Sequence, residues 1–453
     1  MAPVALVYPP TCDPTAPYLA VPMLTGFLRG HGVEVLPVDA NIEAFDALLE
    51  PAALAGIRDR IESRLGRLDR RAALTHAEQL ELAALVRARG DAHAVPGGIA
   101  DAKAILRDPA RFFDAGAYGA AVATIEAALR AISAAYHPLH LDFTAYRTPF
   151  GLASSEEGFG ETSVSGEAAR ESDPDHDPFH PWVTGVLVPR LREANAKVVG
   201  ISVCFPGQLQ PAYAFAHALR RALPDVHLTC GGPGITQMMV RLSGRRLAAA
   251  LGPFDSACLF EGENTLLSLV RALEEGRPLR ELTNVVVRDR LLGARWLSGH
   301  GMEDLRALPP PDFDGLPLDR YLSPTLVLPY DPTRGCYWGK CTFCHYGLAE
   351  VGTAAYRERD VERVVDDLAA LAERHRTRHF YLSQDSVAPK TIVKLAQAIS
   401  DRGLDVRWAT DLKPEKYLTP ERAEVLRKGG AVACALGREV PVSYTHLTLP
   451  TKA

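Results

Sequence analysis

Cys336, Cys341 and Cys344 stand within nine positions of one another in a chain that has eight cysteines. They belong to the stretch Arg-Gly-Cys-Tyr-Trp-Gly-Lys-Cys-Thr-Phe-Cys-His at residues 334–345, where their spacing is C-x4-C-x2-C. A short apolar run at residues 326–330 precedes them and predicts a β-strand. Because α/β proteins place their chemistry on loops at the carboxyl ends of strands, we expect the three thiols on such a loop.

Two kinds of metal site suit three thiols on one short loop. Zinc could take the three cysteines together with His345 as a tetrahedral Cys3His site. A 4Fe–4S cluster could take the same cysteines and leave one iron without a protein ligand. His345 directly follows Cys344, and adjacent residues rarely both reach one ion without strain. No second C-x2-C pair is present to complete a conventional zinc module, so the residues favour the cluster over zinc.

Composition points to an ordinary globular protein of two or three domains. The chain has 453 residues, of which 47% are hydrophobic and 23% charged. Its formal net charge of -5 gives no reason to expect nucleic-acid binding, and no apolar run reaches membrane-spanning length. No signal peptide follows Met1, and the five remaining cysteines are scattered as small buried residues would be. These features predict a cytoplasmic protein without a membrane or nucleic-acid partner.

The N-terminal part, residues 1–292, is predicted to be a doubly wound parallel sheet. An apolar run at 3–8, a helical pattern at 18–30 and a second apolar run at 33–38 form a βαβ opening. Strand patterns return at 197–203, 226–230, 256–260 and 284–287, with helical patterns between them. Residues of about 42–190 interrupt the sheet as an insertion, helical to about 136 and then polar and irregular. A proline-rich linker at 293–325 follows.

Repeating βα units follow the cysteines. Helical patterns at 360–375, 389–402 and 419–428 alternate with strand patterns at 379–382, 406–410 and 431–436. This alternation is typical of a (β/α) barrel or part of one, so residues 326–440 are predicted to be a partial barrel domain.

The cysteine loop resembles the radical SAM superfamily, whose usual signature is C-x3-C-x2-C with an aromatic residue before the last cysteine. Phe343 fills that place, while the x4 spacing is one residue longer than the common pattern. The resemblance implies a 4Fe–4S cluster on Cys336, Cys341 and Cys344, with S-adenosylmethionine on the open iron. It further implies reductive cleavage of that cofactor to a 5′-deoxyadenosyl radical, with an electron donor such as flavodoxin or ferredoxin.

The same resemblance implies further contacts to S-adenosylmethionine. In that family the second strand ends in a motif that holds the amino group of the cofactor, and Ser383, Gln384 and Asp385 occupy this position. Oxygen acceptors there suit an ammonium group. Gly-Arg-Glu at 437–439 resembles an element on the fourth strand that places Glu439 near the cofactor.

The N-terminal part resembles the cobalamin-binding domain that precedes many radical SAM domains. By position, the resemblance implies cobalamin contacts from Pro10, Cys204, Gly231, Gly232 and Gly262. The D-x-H-x-x-G sequence that supplies a lower axial histidine is absent. Bound cobalamin and a scaffold that has lost the ligand both remain open.

The last residues resemble translated cloning DNA. Residues 442–451 read Val-Ser-Tyr-Thr-His-Leu-Thr-Leu-Pro-Thr, which is one frame of a common transposon sequencing adapter. We therefore expect 441–453 to be a non-native tail and the catalytic domain to be cut short after about four βα units. An open sheet edge would then be exposed, so the polypeptide as written is expected to be unstable or inactive, although its parent is an enzyme.

The resemblance implies a cobalamin-dependent radical SAM C-methyltransferase that acts on a peptide or natural-product substrate. One alternative is a radical SAM epimerase, cyclase or rearrangement enzyme whose cobalamin-like domain is only a scaffold. The other is a non-catalytic protein that binds zinc or cobalamin.

Overall fold

A computed structural model describes residues 3–148, 174–242, 244–287, 302–346, 353–383 and 385–436. The chain forms two compact units that are interleaved in sequence. The first comprises Met1–Thr15, Leu28–His300 and Phe313–Pro324, and the second comprises Ala16–Phe27, Gly301–Asp312 and Thr325–Ala453. No helix in the described part is both long and apolar enough to cross a bilayer.

In chain order the strands of the first unit are β1 Val4–Tyr8, β2 Val35–Asp39, β3 His140–Leu141, β4 Tyr146–Arg147, β5 Val198–Ser202, β6 His227–Gly231, β7 Ser256–Cys258 and β8 Val285–Val287. Six of them form one sheet in the order β2-β1-β5-β6-β7-β8. Within this sheet the strands from β2 to β7 run parallel to their neighbours, whereas the edge strand β8 is antiparallel to β7. The doubly wound parallel sheet is therefore confirmed, with one antiparallel edge strand.

Helices cover this sheet, which explains why β1 and β5 are buried along their whole length. In chain order the helices up to residue 275 are α1 Ala20–Gly30, α2 Ala40–Leu48, α3 Pro51–Asp69, α4 His76–Arg107, α5 Pro109–Phe112, α6 Ala115–Ala135, α7 His180–Trp182, α8 Val188–Glu193, α9 Leu209–Ala222, α10 Pro233–Met239, α11 Gly244–Leu251 and α12 Glu263–Glu275.

The predicted helical insertion contains three long helices, α3, α4 and α6, which pack together. A capping box between Thr75 and Glu78 begins α4. Its buried face then recurs at helical spacing through Leu85, Ala92 and Ile99. This helix continues through the Pro-Gly-Gly sequence at residues 96–98. After α6 the short antiparallel strands β3 and β4 pair with each other.

The second unit contains a parallel four-stranded sheet in the order β14-β13-β12-β9. Each successive strand adds to the same side of the sheet through an intervening helix, as in the wall of a (β/α) barrel. This confirms the predicted partial barrel. The elements are β9 Val327–Tyr330, β10 Thr333–Arg334, β11 Arg357–Glu358, α13 Val361–His375, β12 His379–Leu382, α14 Pro389–Asp401, β13 Arg407–Leu412, α15 Pro420–Lys428 and β14 Ala431–Leu436.

Candidate functional site

The cysteine loop begins directly after β10, a short strand that follows β9 and pairs antiparallel with β11. Gly335 adopts a φ of +81°, and a Cβ atom there would lie 2.8 Å from the carbonyl oxygens of Ala354 and Ala355. Only glycine therefore allows the chain to turn at this point and to pass so close to the neighbouring backbone. The turn places Cys336 immediately beyond the strand.

The three cysteines form no disulfide among the described residues, and all three are of intermediate exposure. The backbone N–H of Cys344 donates to the carbonyl oxygen of Cys341 at 3.2 Å, so these two residues share one turn. Within the described ranges, no three His, Cys, Asp or Glu side chains are gathered as a formed metal site. The donor chemistry nevertheless fits a cluster, because three sulfur donors on one loop suit iron–sulfur ligation.

The cysteine loop is hydrogen-bonded to the loop that follows β12. Cys336 pairs with Ser386 in a parallel β-bridge, and the Tyr337 N–H donates to the Ser386 carbonyl oxygen at 3.3 Å. The Tyr346 hydroxyl donates to the Asp385 carboxylate at 2.6 Å. The fold thus brings the proposed cluster ligands together with the segment expected to hold the amino group of S-adenosylmethionine.

The other predicted contacts to S-adenosylmethionine differ in how the structure places them. Ser383 is partly buried, and its N–H donates to the Tyr330 carbonyl oxygen at 2.8 Å. Phe343 is 59% exposed. Gln384 and Glu439 lie outside the described residues, as does the tail at 441–453.

The Tyr346 hydroxyl donates a hydrogen bond to Asp385, and it also interacts electrostatically with Asp385 and with two of the cysteines. Burial raises the pKa of its hydroxyl well above the usual range, and the Asp385 carboxylate and the thiols of Cys336 and Cys344 raise it further. Tyr346 therefore keeps its proton and remains a hydrogen-bond donor. The sequence alone did not single out Tyr346, because its partner lies 39 positions away.

A second set of contacts ties the cysteine loop to the segment after β13. The Tyr337 hydroxyl donates to Glu415 at 2.5 Å, and the Lys413 ammonium donates to the same carboxylate at 2.9 Å. The Lys413 Nζ atom also lies 4.0 Å from the ring centroid of Trp338. Sequence reasoning missed Lys413 and Glu415, although both follow a strand end, where functional side chains concentrate.

Buried charges fix the base of the loop. The fully buried Arg359 guanidinium donates to the Asp331 carboxylate at 3.2 Å and to the carbonyl oxygens of Leu305 and Leu308 at 3.2 and 3.0 Å. Arg334, two residues before Cys336, donates to the same carboxylate at 2.8 Å. Asp331 therefore binds both arginines and orients β10, the strand that precedes the cysteine loop.

The predicted cobalamin contacts lie at the carboxyl ends of strands in the first unit. The chain moves outward from β1 to β2 on one side and from β5 to β7 on the other, so the topological switch point falls between β1 and β5. Pro10 and Cys204, which follow these two strands, are buried. Gly231, Gly232 and Gly262 are partly exposed at the ends of β6 and β7.

Gln208 joins the two loops at the switch point and was missed by sequence reasoning. It is fully buried, and its side-chain nitrogen donates to the Pro9 carbonyl oxygen at 2.7 Å. Its side-chain oxygen accepts from the N–H groups of Cys204 and Phe205 at 2.9 and 3.0 Å. Nearby, the buried Thr11 hydroxyl has no hydrogen-bond partner among the described residues, so it is able to meet a polar group of a ligand. These polar groups fit a corrin at this edge.

Asp39, at the end of β2, is a further buried group near this edge. It accepts the N–H groups of Asn41 and Ile42 at 3.1 and 3.2 Å, and the Tyr321 hydroxyl at 2.6 Å. Burial raises the pKa of its carboxyl to about 6. Asn41 in turn exchanges two 2.9 Å hydrogen bonds with the backbone of Cys12. The loop after β1 is therefore fixed from both sides, by Asn41 and by Gln208.

The fold is similar to that of TsrM from Kitasatospora setae, a radical S-adenosylmethionine methyltransferase. The TsrM structure with cobalamin and a 4Fe–4S cluster bound superimposes with a TM-score of 0.52 at 13% identity, covering 96% of this chain and 60% of that one. The structure with tryptophan substrate and a SAM analogue gives 0.52 at 14% identity, covering 98% and 60%. The predicted resemblance in fold is confirmed.

Sequence comparison finds relatives at 24–26% identity, and no protein-family model matches the chain. An uncharacterized methyltransferase of Pyrococcus horikoshii is 24% identical over 252 residues, covering 55% of this chain and 53% of its own length. An anaerobic magnesium-protoporphyrin IX monomethyl ester cyclase of Rubrivivax gelatinosus is 26% identical over 196 residues, covering 40% and 33%. The chain thus spans about a third to a half of the length of these relatives.

Proposed function

We propose that this chain belongs to a cobalamin-dependent radical SAM C-methyltransferase that acts on a peptide or natural-product substrate. The observation that carries the proposal is the joining of the cysteine loop to the loop after β12 by the Cys336–Ser386 bridge and the Tyr346–Asp385 hydrogen bond. Both loops lie at the carboxyl end of a parallel sheet, where barrel enzymes place their active sites.

In this proposal each set of residues has a distinct role. Cys336, Cys341 and Cys344 hold the cluster through their sulfur atoms, and an electron donor such as flavodoxin or ferredoxin reduces it. When bound, the cluster supplies the electron that cleaves S-adenosylmethionine, and cobalamin carries a methyl group. The contacts to S-adenosylmethionine come from Phe343, Ser383, Gln384, Asp385 and Glu439.

Asp385 is suited to receive an ammonium group. The Tyr346 hydroxyl occupies one site on its carboxylate, while other oxygen lone pairs remain for a second donor. The exposed position of Asp385 leaves it open to a ligand. Tyr346 therefore orients the carboxylate without neutralising it.

The cobalamin contacts of the proposal are the groups at the strand ends of the first unit. The buried Thr11 hydroxyl and the partly exposed backbone at Gly231, Gly232 and Gly262 offer polar contacts to a corrin. Pro10 and Cys204 lie within the two fixed loops at the switch point. The cobalamin and the tryptophan in the TsrM structures support a corrin and an aromatic methyl acceptor as the first ligands to test.

A radical cyclase without methyl transfer is the second candidate, because two of the sequence relatives are magnesium-protoporphyrin IX monomethyl ester cyclases. In that reading the first unit is a scaffold. The same contacts would hold the cluster and S-adenosylmethionine.

The two candidates differ in the products that they release from S-adenosylmethionine. We would reconstitute the full chain anaerobically with iron, sulfide and hydroxocobalamin, reduce it, and add S-adenosylmethionine with tryptophan. The proposal predicts S-adenosylhomocysteine whose formation depends on cobalamin. Formation of 5′-deoxyadenosine alone, by protein that retains no corrin, would favour the cyclase.

A further inference from the structure

Gln208 occupies an unusual position for a glutamine. It ends the 3-10 turn Pro206–Gln208 that leads into α9, and its side chain is completely enclosed. Three backbone groups bind it: the Pro9 carbonyl oxygen after β1, and the N–H groups of Cys204 and Phe205 after β5. One side chain therefore connects the ends of the two strands on either side of the switch point.

The connection is energetically significant because all of the groups involved are at least partly withdrawn from water. A buried backbone donor or acceptor left without a partner costs about 1–3 kcal/mol. The three bonds to Gln208 are short, between 2.7 and 3.0 Å, and the two halves of its amide serve different loops. The amide nitrogen fixes the loop after β1, and the amide oxygen fixes the loop after β5.

The loop that carries Gln208 is also confined on its other side. A Cβ atom on Gly207 would lie 2.5 Å from the Thr144 carbonyl oxygen and 2.9 Å from the Thr11 hydroxyl. The hairpin between β3 and β4 therefore packs directly on this loop, beside the Thr11 hydroxyl, which has no hydrogen-bond partner among the described residues. A shift of the Gln208 loop would have to displace either the hairpin or Thr11.

We propose that Gln208 is a positioning residue for cobalamin: its amide sets the separation of the loops after β1 and β5, and with it the affinity for the corrin. The inference rests on the proposed function, because it takes cobalamin as the ligand of this edge. Gln208 need not touch the corrin itself, since it acts through Pro9, Cys204 and Phe205.

The isosteric variant Gln208→Glu separates the two halves of the contact. When ionised, its carboxylate still accepts from Cys204 and Phe205, but it does not donate to the Pro9 carbonyl oxygen. The loop after β1 is then released while the loop after β5 stays fixed. We expect the dissociation constant for hydroxocobalamin, measured by equilibrium dialysis of the full chain, to rise about tenfold.

Tyr213→Phe is the matched control for the loss of one buried hydrogen bond. The Tyr213 hydroxyl is buried on the same helix, α9, and donates to the Ala250 carbonyl oxygen, away from the switch point. This variant should lower the thermal unfolding midpoint, because it also loses a buried hydrogen bond, with unchanged affinity for hydroxocobalamin. A third variant, Gln208→Asn, shortens the side chain and keeps both polar functions, so its affinity should fall between those of wild type and Gln208→Glu.

The outcomes separate the role of Gln208 from the proposed function. Two results would overturn the positioning role and leave cobalamin dependence standing. One is wild-type affinity for hydroxocobalamin in Gln208→Glu, and the other is an equal loss of this affinity in Gln208→Glu and Tyr213→Phe. If the wild-type chain does not bind hydroxocobalamin, cobalamin dependence fails and this role fails with it. If Gln208→Glu does not fold, the comparison of Gln208→Asn with Tyr213→Phe decides the matter by the same criterion.

Discussion

Tyr337 directly follows Cys336, Tyr346 lies two residues after Cys344, and each donates its hydroxyl to a carboxylate on a different strand-end loop. Burial raises the pKa of both phenols, and the adjacent carboxylates Glu415 and Asp385 raise it further. Both tyrosines therefore remain donors at ordinary pH. Local sequence could identify the thiols by their spacing, but not these partners, because a hydrogen bond across 39 or 78 positions leaves no local pattern.

Asp39 is the residue whose protonation should affect stability most visibly. Its carboxyl is completely buried, and burial raises its pKa from 3.8 to about 6, against the opposing hydrogen bonds from Tyr321 and the N terminus of α2. Nearby Glu43 raises it further. Between these two pH values the folded chain therefore binds a proton that the unfolded chain has released.

This proton uptake predicts the sign of the pH dependence. The contribution of Asp39 to the free energy of unfolding is greatest below pH 3.8 and falls as the pH rises through about 6. The slope within that window should approach ~1.4 kcal/mol per pH unit. In Asp39→Asn the neutral amide still caps α2, so this slope should disappear. Urea unfolding of both proteins between pH 4 and 7 measures the difference, and equal slopes would refute the assignment.

At the scale of elements, the cysteine loop is fixed on three sides. Asp331 holds its base through Arg334 and Arg359, and the loops after β12 and β13 hold its two flanks. The glycine turn at 335 sets its direction. A loop held in this way loses little conformational freedom when it binds a cluster, which favours retention of the metal.

Removal of one of these contacts should speed the loss of iron. In Tyr337→Phe the ring remains, but the hydrogen bond to the Glu415 carboxylate is lost, which corresponds to about 1.5 kcal/mol at a partly exposed site. We expect full cluster assembly, followed by iron transfer to a chelator about tenfold faster than in wild type. The measurement is the decay of cluster absorbance under anaerobic conditions.

Tyr417→Phe is the control for this prediction. Tyr417 lies two residues beyond Glu415, and its ring stacks with the Arg422 guanidinium at 3.7 Å, a contact that phenylalanine retains. Its rate of iron loss should match that of wild type. Identical rates for Tyr337→Phe and wild type would show that the Glu415 contact does not hold the loop.

The sequence predicted the strands of the second unit closely, because each apolar run there is bounded by clear turn residues. The strands 379–382 and 431–436 were placed at their observed bounds. Pro96 lies inside α4, where local propensity alone would break a helix, because packing against α3 and α6 stabilises α4. The antiparallel direction of β8 was missed, since an apolar run of three valines carries no information about strand direction.

At the scale of the whole molecule, the proposed cofactors are assigned to different units. The cysteines and Asp385 belong to the second unit, and the switch point with Gln208 belongs to the first. Sequence order predicted both sheets but not the interleaving, in which Ala16–Phe27 and Gly301–Asp312 join the second unit. Which unit a short segment joins depends on long-range packing, and the hydrophobic periodicity of a sequence carries no information about such packing.

The central claim is that the three cysteines hold a 4Fe–4S cluster, and metal and sulfide analysis tests it most directly. The full chain, reconstituted anaerobically, should contain about four irons and four sulfides. Cys434→Ser, which changes a thiol on β14 outside the loop, should contain the same amounts, whereas Cys341→Ser should lose most of both. One zinc per chain with little iron, or equal iron in Cys341→Ser and wild type, would contradict the account.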